Sequence, residues 1–109
     1  LAVDGEGNVV VADCSNHRIR RIATDGTVNT VAGGPAGNLN AVGEAARFSS
    51  PAAVAVTHTG IIYVSDAGNH SIRRVGPDGT VSTLVTGDSP VGLTADNNGN
   101  VFVNRNHQV

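Results

Sequence analysis

The stretch NHRIRRIATDGTV at residues 16–28 recurs 53 positions later as NHSIRRVGPDGTV at residues 69–81. The same offset aligns residues 1–34 with residues 54–87, and sixteen of the 34 aligned positions are identical. A third, shorter copy follows near the end of the chain, where SPVGLTADNNGNVFV is similar to the earlier SPAAVAVTHTGIIYV. Repetition at this spacing is typical of proteins that stack one small structural unit several times.

Each copy contains four short runs of Val, Ile or Tyr separated by turn residues, which predicts four strands per copy. In the second copy the predicted strands are residues 53–57, 61–65, 71–75 and 81–85. Asp78 and Gly79 lie between the last two runs. Asp-Gly is a strong hairpin signal, because glycine accepts the positive φ that such turns require.

The second strand of each copy predicts burial on two sides. Consecutive positions are apolar in VVV at residues 9–11 and in IIYV at residues 61–64. A strand with one solvent-exposed face would instead alternate apolar and polar residues. Antiparallel four-stranded units covered on both sides are typical of β-propeller blades. A β-sandwich is the alternative, but it does not require so regular a repeat. The predicted fold class is all-β, a β-propeller fragment of about two and a half four-stranded antiparallel blades.

The repeat also predicts the organisation of the chain. We expect a first blade at residues 1–34, a long interblade link at 35–50, a second blade at 51–87 and a partial third blade at 88–109. Propellers close with about four to eight blades, so the remaining blades of the same chain are expected partners of this segment.

These residues resemble the NHL-repeat β-propellers, a family named after the Asn-His-Leu triplet that commonly opens the third strand. The triplet positions here are residues 16–18, 69–71 and 106–108, and VVVAD or IYVSD precedes the first two. The third triplet position is never Leu, and Arg105 stands where the earlier copies have aspartate. The resemblance implies a propeller fold and a range of roles, which include protein interaction, RNA binding by some members, and extracellular sensing or adhesion.

Composition bears on the possible partners. The chain has nine acidic residues, seven arginines and no lysine, with a formal net charge of −2. No broad basic field is therefore expected, which disfavours nucleic acid and anionic membrane as partners. No apolar run approaches the length of a membrane span. Cys14 is the only cysteine, so the redox compartment and the localisation stay undecided.

Strand parity predicts which loops share a side of the propeller. Connections in an antiparallel blade alternate sides, so the second-to-third loops at 13–17 and 66–70 are expected beside residues 32–50, the connection between the blades that includes the link. We call this side the loop face. The opposite side carries tight turns, which we expect to be too short to form much of a site. The predicted binding residues for a macromolecular partner are Asn38, Asn40, Glu44, Arg47, Cys14, Ser15 and Gly68.

The link also has an interpretation without a binding role. Phe48 would fill the gap between blades, and the glycines would let the backbone turn. Ordinary loop chemistry explains every residue of the link, so this interpretation is preferred. Glu44 and Arg47 are the only charged side chains in the link.

Polar residues repeated at equivalent positions favour a structural duty. We expect the asparagine to adopt the left-handed conformation, the histidine to hydrogen-bond between blades, and the aspartate to pair with arginine or cap the loop. Asp13, Cys14 and His17 also invite a metal interpretation, but structural zinc prefers four nitrogen or sulfur ligands, and only one cysteine exists. No metal or other cofactor is expected. The predicted structural residues are Asp13, Asn16, His17, Asp66, Asn69, His70, Asn106 and His107.

The function expected from these patterns is a non-catalytic propeller scaffold that binds another protein or an extended ligand. No phosphate-binding glycine loop, nucleophile elbow or zinc-protease motif is present in the sequence. The alternative is part of a metal-dependent propeller enzyme, similar to the gluconolactonase-like hydrolases or the peptidyl-amidoglycolate lyases. That alternative rests on fold analogy, because the segment holds no diagnostic subset of their ligands.

Overall fold

A computed structural model describes residues 1–87, 90–96 and 100–105, which form three antiparallel sheets of four, four and two strands. The first sheet contains β1 (Ala2–Val3), β2 (Val9–Asp13), β3 (Arg18–Ile22) and β4 (Val28–Gly33). The second contains β5 (Pro51–Val56), β6 (Ile62–Asp66), β7 (Ser71–Val75) and β8 (Val81–Thr86). The third pairs β9 (Pro90–Ala95) with β10 (Val101–Arg105). The predicted all-β fold of about two and a half blades is confirmed.

The Asp-Gly turns join the third and fourth strands of each blade, as predicted. Asp25 Oδ1 accepts a hydrogen bond from the Thr27 amide at 2.9 Å, and Asp78 Oδ1 accepts one from the Thr80 amide at 3.0 Å. Gly79, between Asp78 and Thr80, has φ +89°, a backbone conformation that residues with a Cβ rarely adopt. These contacts are local, which explains why sequence alone predicts the turns.

Single-turn 3₁₀ helices join the second and third strands: η1 (Cys14–Asn16) in the first blade and η3 (Ala67–Asn69) in the second. The residue in the left-handed conformation is the histidine, with φ +58° at His17 and +51° at His70. The expectation that asparagine takes this conformation is therefore wrong. The turn needs its left-handed residue after its last helical position, and the asparagine amide is already bonded to the preceding aspartate.

The second sheet packs between the other two, because β5 contacts β2 on one side and β9 on the other. All five residues of β6 are buried, as its consecutive apolar residues predict. In β2 only Val10 is buried. Among the described residues the first sheet has a neighbouring sheet on one side only, which explains the difference.

The link forms a small hairpin that crosses from one side of the blade to the other. Leu39 and Arg47 pair through two backbone hydrogen bonds of 3.0 and 3.3 Å. At its tip, which includes η2 (Gly43–Ala45), the Gly43 amide donates to the Gly79 carbonyl at 2.9 Å. The expectation that the whole link lies on the loop face is therefore wrong. Backbone groups at the tip of the link instead pair with the turn between β7 and β8 on the opposite side.

The link also supplies core residues between the first two sheets. Phe48 is fully buried in the same apolar cluster as Ile19 of the first blade and Val64 of the second. The position matches the gap-filling interpretation of Phe48.

Candidate functional site

A buried ion pair lies at the centre of the region where the link meets the second blade. Asp66, the last residue of β6, accepts a hydrogen bond from Arg73 Nη1 on β7 at 2.6 Å. Both side chains are 0% exposed. A buried ion pair is retained only when further hydrogen bonds satisfy both partners.

The link provides further bonds to the two Nη atoms of Arg73, whereas the buried Nε has no hydrogen-bond partner among the described residues. Arg73 Nη1 also donates to the Arg47 carbonyl at 3.0 Å, and Nη2 donates to the Leu39 carbonyl at 3.0 Å and to Asn40 Oδ1 at 2.8 Å. The Phe48 ring lies 5.1 Å from the guanidinium carbon, within the range of a cation–π contact. Arg73 therefore holds both arms of the link hairpin.

Asp66 holds the end of the link from the other side. Its Oδ1 accepts a hydrogen bond from the Ser49 backbone amide at 2.8 Å, and its Oδ2 accepts one from Asn69 Nδ2 at 2.8 Å. Asn69 Nδ2 also donates to the Gly37 carbonyl at 2.8 Å, and the Gly68 amide donates to the Ser49 carbonyl at 2.8 Å. A Cβ at position 68 would overlap Ser49, so the close approach requires glycine. The link and η3 thus form one hydrogen-bonded unit.

The first blade contains the same pair in an open form. Arg20 Nε donates to Asp13 Oδ2 at 3.0 Å, and the two side chains are 29% and 30% exposed. The hydrogen bond from the Asn16 side-chain amide lowers the pKa of Asp13 below its ordinary value. Partial desolvation opposes this shift, and Arg20 adds to it. In the described part of the chain, no segment covers this pair as the link covers Asp66 and Arg73.

His17 connects the first blade to the start of the second. Its Nδ1 accepts a hydrogen bond from the Ser50 amide at 3.0 Å, and Ser50 itself has φ +51°. Nδ1 must be unprotonated to accept this bond. The contact supports the proposal that His17 joins the two blades.

We expect His17→Ala to lower the free energy of unfolding by about 1–3 kcal/mol, because the Ser50 amide loses its acceptor. Urea unfolding of the full-length protein measures this change, and Thr24→Ala on the exposed turn serves as a control expected within about 0.5 kcal/mol of wild type. His17→Gly separates the bond from the backbone, because glycine relieves about 1 kcal/mol of left-handed strain. If His17→Gly were about 1 kcal/mol more stable than wild type, the full amount of the relieved strain, the hydrogen bond would have no role.

The predicted binding residues do not form one surface. Cys14 and Ser15 in η1 and Gly68 in η3 are exposed, and the exposed Asn38 follows Gly37, which is bonded to η3. Whether any of them contacts a partner stays a prediction.

The other three predicted binding residues have different positions. Glu44 is exposed but lies at the link tip, near the turn between β7 and β8. Arg47 donates to the carbonyls of Glu44 and Ala46 at 2.6 and 2.9 Å. Asn40 Oδ1 accepts bonds from Arg73 and from Thr83 Oγ1, so it belongs to the scaffold. Asn106 and His107 lie outside the described residues.

Sequence reasoning missed a cleft on the side of the tight turns. The cleft has a volume of about 260 Å³ and lies between the first turns of the two blades. Arg21 Nε and Asp4 Oδ2, both at the cleft, are 3.5 Å apart. The expectation that this side is too short to form much of a site is incomplete, because turns of adjacent blades combine. The lining includes Asp4, Glu6, Asn8, Arg21, His58 and Pro77.

The described residues contain neither a metal-binding cluster nor a membrane-spanning helix. Within residues 1–87, 90–96 and 100–105, no group of three or more His, Cys, Asp or Glu side chains is placed to hold a metal ion. No helix in those same ranges is long and apolar enough to cross a membrane.

Comparison with known sequences identifies the repeat. The family model described as NHL repeat matches residues 1–22 and 48–75. NHL repeat-containing protein 2 of Bos taurus is 34% identical over 89 residues, and that of Gallus gallus is 35% identical over 89 residues. Each match covers 80% of this chain and 12% of the relative, so the chain spans only a small part of the length of these proteins.

Comparison with solved structures identifies the fold. A protein of unknown function from Bacteroides thetaiotaomicron has a TM-score of 0.75 at 21% identity, covering 89% of this chain and 29% of that one. An auxiliary nutrient binding protein from the same organism has a TM-score of 0.72 at 19% identity, covering 88% and 32%. Virginiamycin B lyase from Staphylococcus aureus has a TM-score of 0.66 at 18% identity, covering 89% and 30%.

The sheets and these neighbours define the chain as a segment of a β-propeller. The sequence matches are more specific, and the chain belongs to the NHL-repeat family.

Proposed function

We propose that this segment is part of a non-catalytic propeller scaffold that binds another protein or an extended ligand. The binding residues are Cys14, Ser15, Asn38 and Gly68, which we name the η1–η3 surface. The observation that carries the proposal is the buried Asp66–Arg73 pair, which bonds the link and η3 into one unit beneath exposed residues.

Rigid loops suit a binding surface. Loops that are ordered before binding lose less conformational entropy when a partner docks, which improves affinity without additional contacts. The Gly68 amide and the Asn69 side chain are both bonded to the link, so η3 is held on two sides. The Ser50–His17 bond extends this connection to η1.

The repeated polar residues support a scaffold rather than a reacting site. Asp66 accepts hydrogen bonds from Ser49, Asn69 and Arg73, so its two carboxylate oxygens are engaged within the fold. In the first blade, Asp13 is paired with Asn16 and Arg20.

The composition of the chain favours a protein partner over nucleic acid. With no lysine and a net charge of −2, the segment offers little attraction for a phosphate backbone. The exposed residues of the η1–η3 surface are small and uncharged, which allows close approach of another protein's backbone.

A photo-crosslinking residue introduced into the full-length protein would test the proposal. Placed at Ser15 or at Asn38, the crosslinker should capture one discrete partner, whereas the same residue at Thr24 on the opposite side should not. Capture from Thr24 alone would contradict the proposed surface.

Affinity for the captured partner then gives a quantitative test. The double variant Ser15→Arg/Asn38→Arg should raise the Kd by about tenfold or more, equivalent to about 1.4 kcal/mol, because two long charged side chains block the surface. Thr24→Arg/Asn29→Arg adds the same charge at exposed positions elsewhere and should leave the Kd unchanged. Equal effects of the two double variants would contradict the proposal.

The alternative function is part of a metal-dependent propeller enzyme. Virginiamycin B lyase is among the structural neighbours, but at 18% identity the likeness supports the fold and not the activity. Metal-dependent hydrolysis of lactones or cleavage of amidoglycolate peptides by the full-length protein would replace the scaffold proposal with this alternative.

A further inference from the structure

We propose that Asp13, Asn16 and Arg20 form a docking site for an extended backbone segment, supplied by the link of a neighbouring blade in the complete propeller. We name these three residues the open seat. The inference does not depend on the proposed binding function, because it concerns contacts within the propeller.

The second blade has an equivalent seat, formed by Asp66, Asn69 and Arg73, and in that blade a backbone segment is bound over it. Asp66, Asn69 and Arg73 are covered by residues 37–49 of the link, which give Arg73 two backbone carbonyls and one side-chain oxygen. The link also gives Asp66 a backbone amide. Asp66 and Arg73 are consequently 0% exposed.

The two seats have the same backbone geometry. Arg20 is paired with Val11 and Thr30 across its sheet, and Arg73 is paired with the corresponding Val64 and Thr83. Asparagine donates to the aspartate in both blades, from Asn16 at 3.0 Å and from Asn69 at 2.8 Å. Because the strands and the register agree, the difference in burial comes from the covering segment.

The open seat has hydrogen-bonding capacity that the described residues do not use. In residues 1–87, 90–96 and 100–105, Arg20 Nε donates to Asp13 and Nη1 donates to Thr30 Oγ1 at 3.1 Å, while Nη2 has no acceptor. Asp13 Oδ1 accepts only the Asn16 amide, at 3.2 Å, within the same ranges. In the second blade Arg73 Nη2 and Asp66 Oδ1 both contact the link, although Arg73 bonds to its aspartate through Nη1 and Arg20 bonds to Asp13 through Nε.

The charges of the seat select a neutral occupant. A small anion attracted to Arg20 would meet the Asp13 carboxylate 3.0 Å away, and a cation attracted to Asp13 would meet Arg20. Backbone carbonyls and amides satisfy both groups without adding charge. By analogy with Phe48 and Ser49, the occupant carries an aromatic ring against the guanidinium and then an amide directed at Asp13.

The first test is arginine modification of the unaltered full-length protein with phenylglyoxal, followed by mass spectrometry. If the seat is occupied, Arg20 should react at least about tenfold more slowly than the partly exposed Arg74, and about as slowly as Arg73. Arg20 reacting as fast as Arg74 would overturn the inference.

The second test measures the Tm of full-length variants. Arg20→Ala should lower the Tm by at least half as much as Arg73→Ala, and Arg20→Lys should recover little, because an ammonium lacks the planar fork that reaches several acceptors. Protection of Arg20 combined with an unchanged Tm for Arg20→Ala would mean that the cover makes no bonds to the guanidinium. That outcome would also overturn the inference.

Discussion

Arg73→Ala is expected to lower the free energy of unfolding by about 3–5 kcal/mol, the usual cost of leaving one partner of a buried ion pair behind. Asp66 would stay buried without its guanidinium, and the carbonyls of Leu39 and Arg47 would each lose one of two donors and keep only their backbone hydrogen bond. Urea unfolding of the full-length protein measures the loss. Arg74→Ala provides the matched control, because Arg74 is the next residue of the same strand and is only partly buried.

The effect should be visible locally as well as globally. The Ser49 amide donates a hydrogen bond to the Asp66 carboxylate. Its hydrogen exchange should accelerate in Arg73→Ala, because this carboxylate is no longer fixed in position. The Arg74→Ala control should leave this amide protected and lose within about 0.5 kcal/mol. A loss for Arg73→Ala as small as the one expected for Arg74→Ala would contradict the assignment of Arg73 as the residue that holds the link to the second blade.

Phe48→Ala is expected to cost about 3–5 kcal/mol, because it opens a cavity in the packed interior. Phe48 is fully buried among residues of both blades and also lies against the Arg73 guanidinium. The loss should therefore include both apolar contact and the cation–π interaction. Thermal and urea unfolding of the full-length protein provide the measurement.

Leu39→Ala is the matched control for Phe48, because Leu39 lies in the same link and its side chain is exposed. We expect a change within about 0.5 kcal/mol, since its backbone carbonyl still accepts the bond from Arg73. A large loss for Leu39→Ala with a small loss for Phe48→Ala would contradict the assignment of Phe48 as the side chain that anchors the link.

The repeat makes the fold predictable from the sequence. The features that can be predicted are those that depend on local contacts. The Asp78-Gly79 turn depends on contacts within three residues, and the predicted bounds of β7, residues 71–75, agree with the structure. The position of the link is harder to predict from the sequence. Gly43 and Gly79 are 36 positions apart, and no local pattern indicates the hydrogen bond between them. The cleft was missed for a related reason, since it forms only where turns of two blades lie side by side.

The chain by itself determined the strand order, the Asp-Gly hairpins and the repeated Asp, Asn, His and Arg positions, because each follows from short-range periodicity and turn chemistry. Only the tertiary structure decided what those repeated residues do. Arg20 and Arg73 have nearly the same local sequence and the same register, yet one is partly exposed and the other fully buried. The difference arises because residues 37–49 lie over the second seat, and burial depends on the segments that pack against a residue rather than on its sequence neighbours.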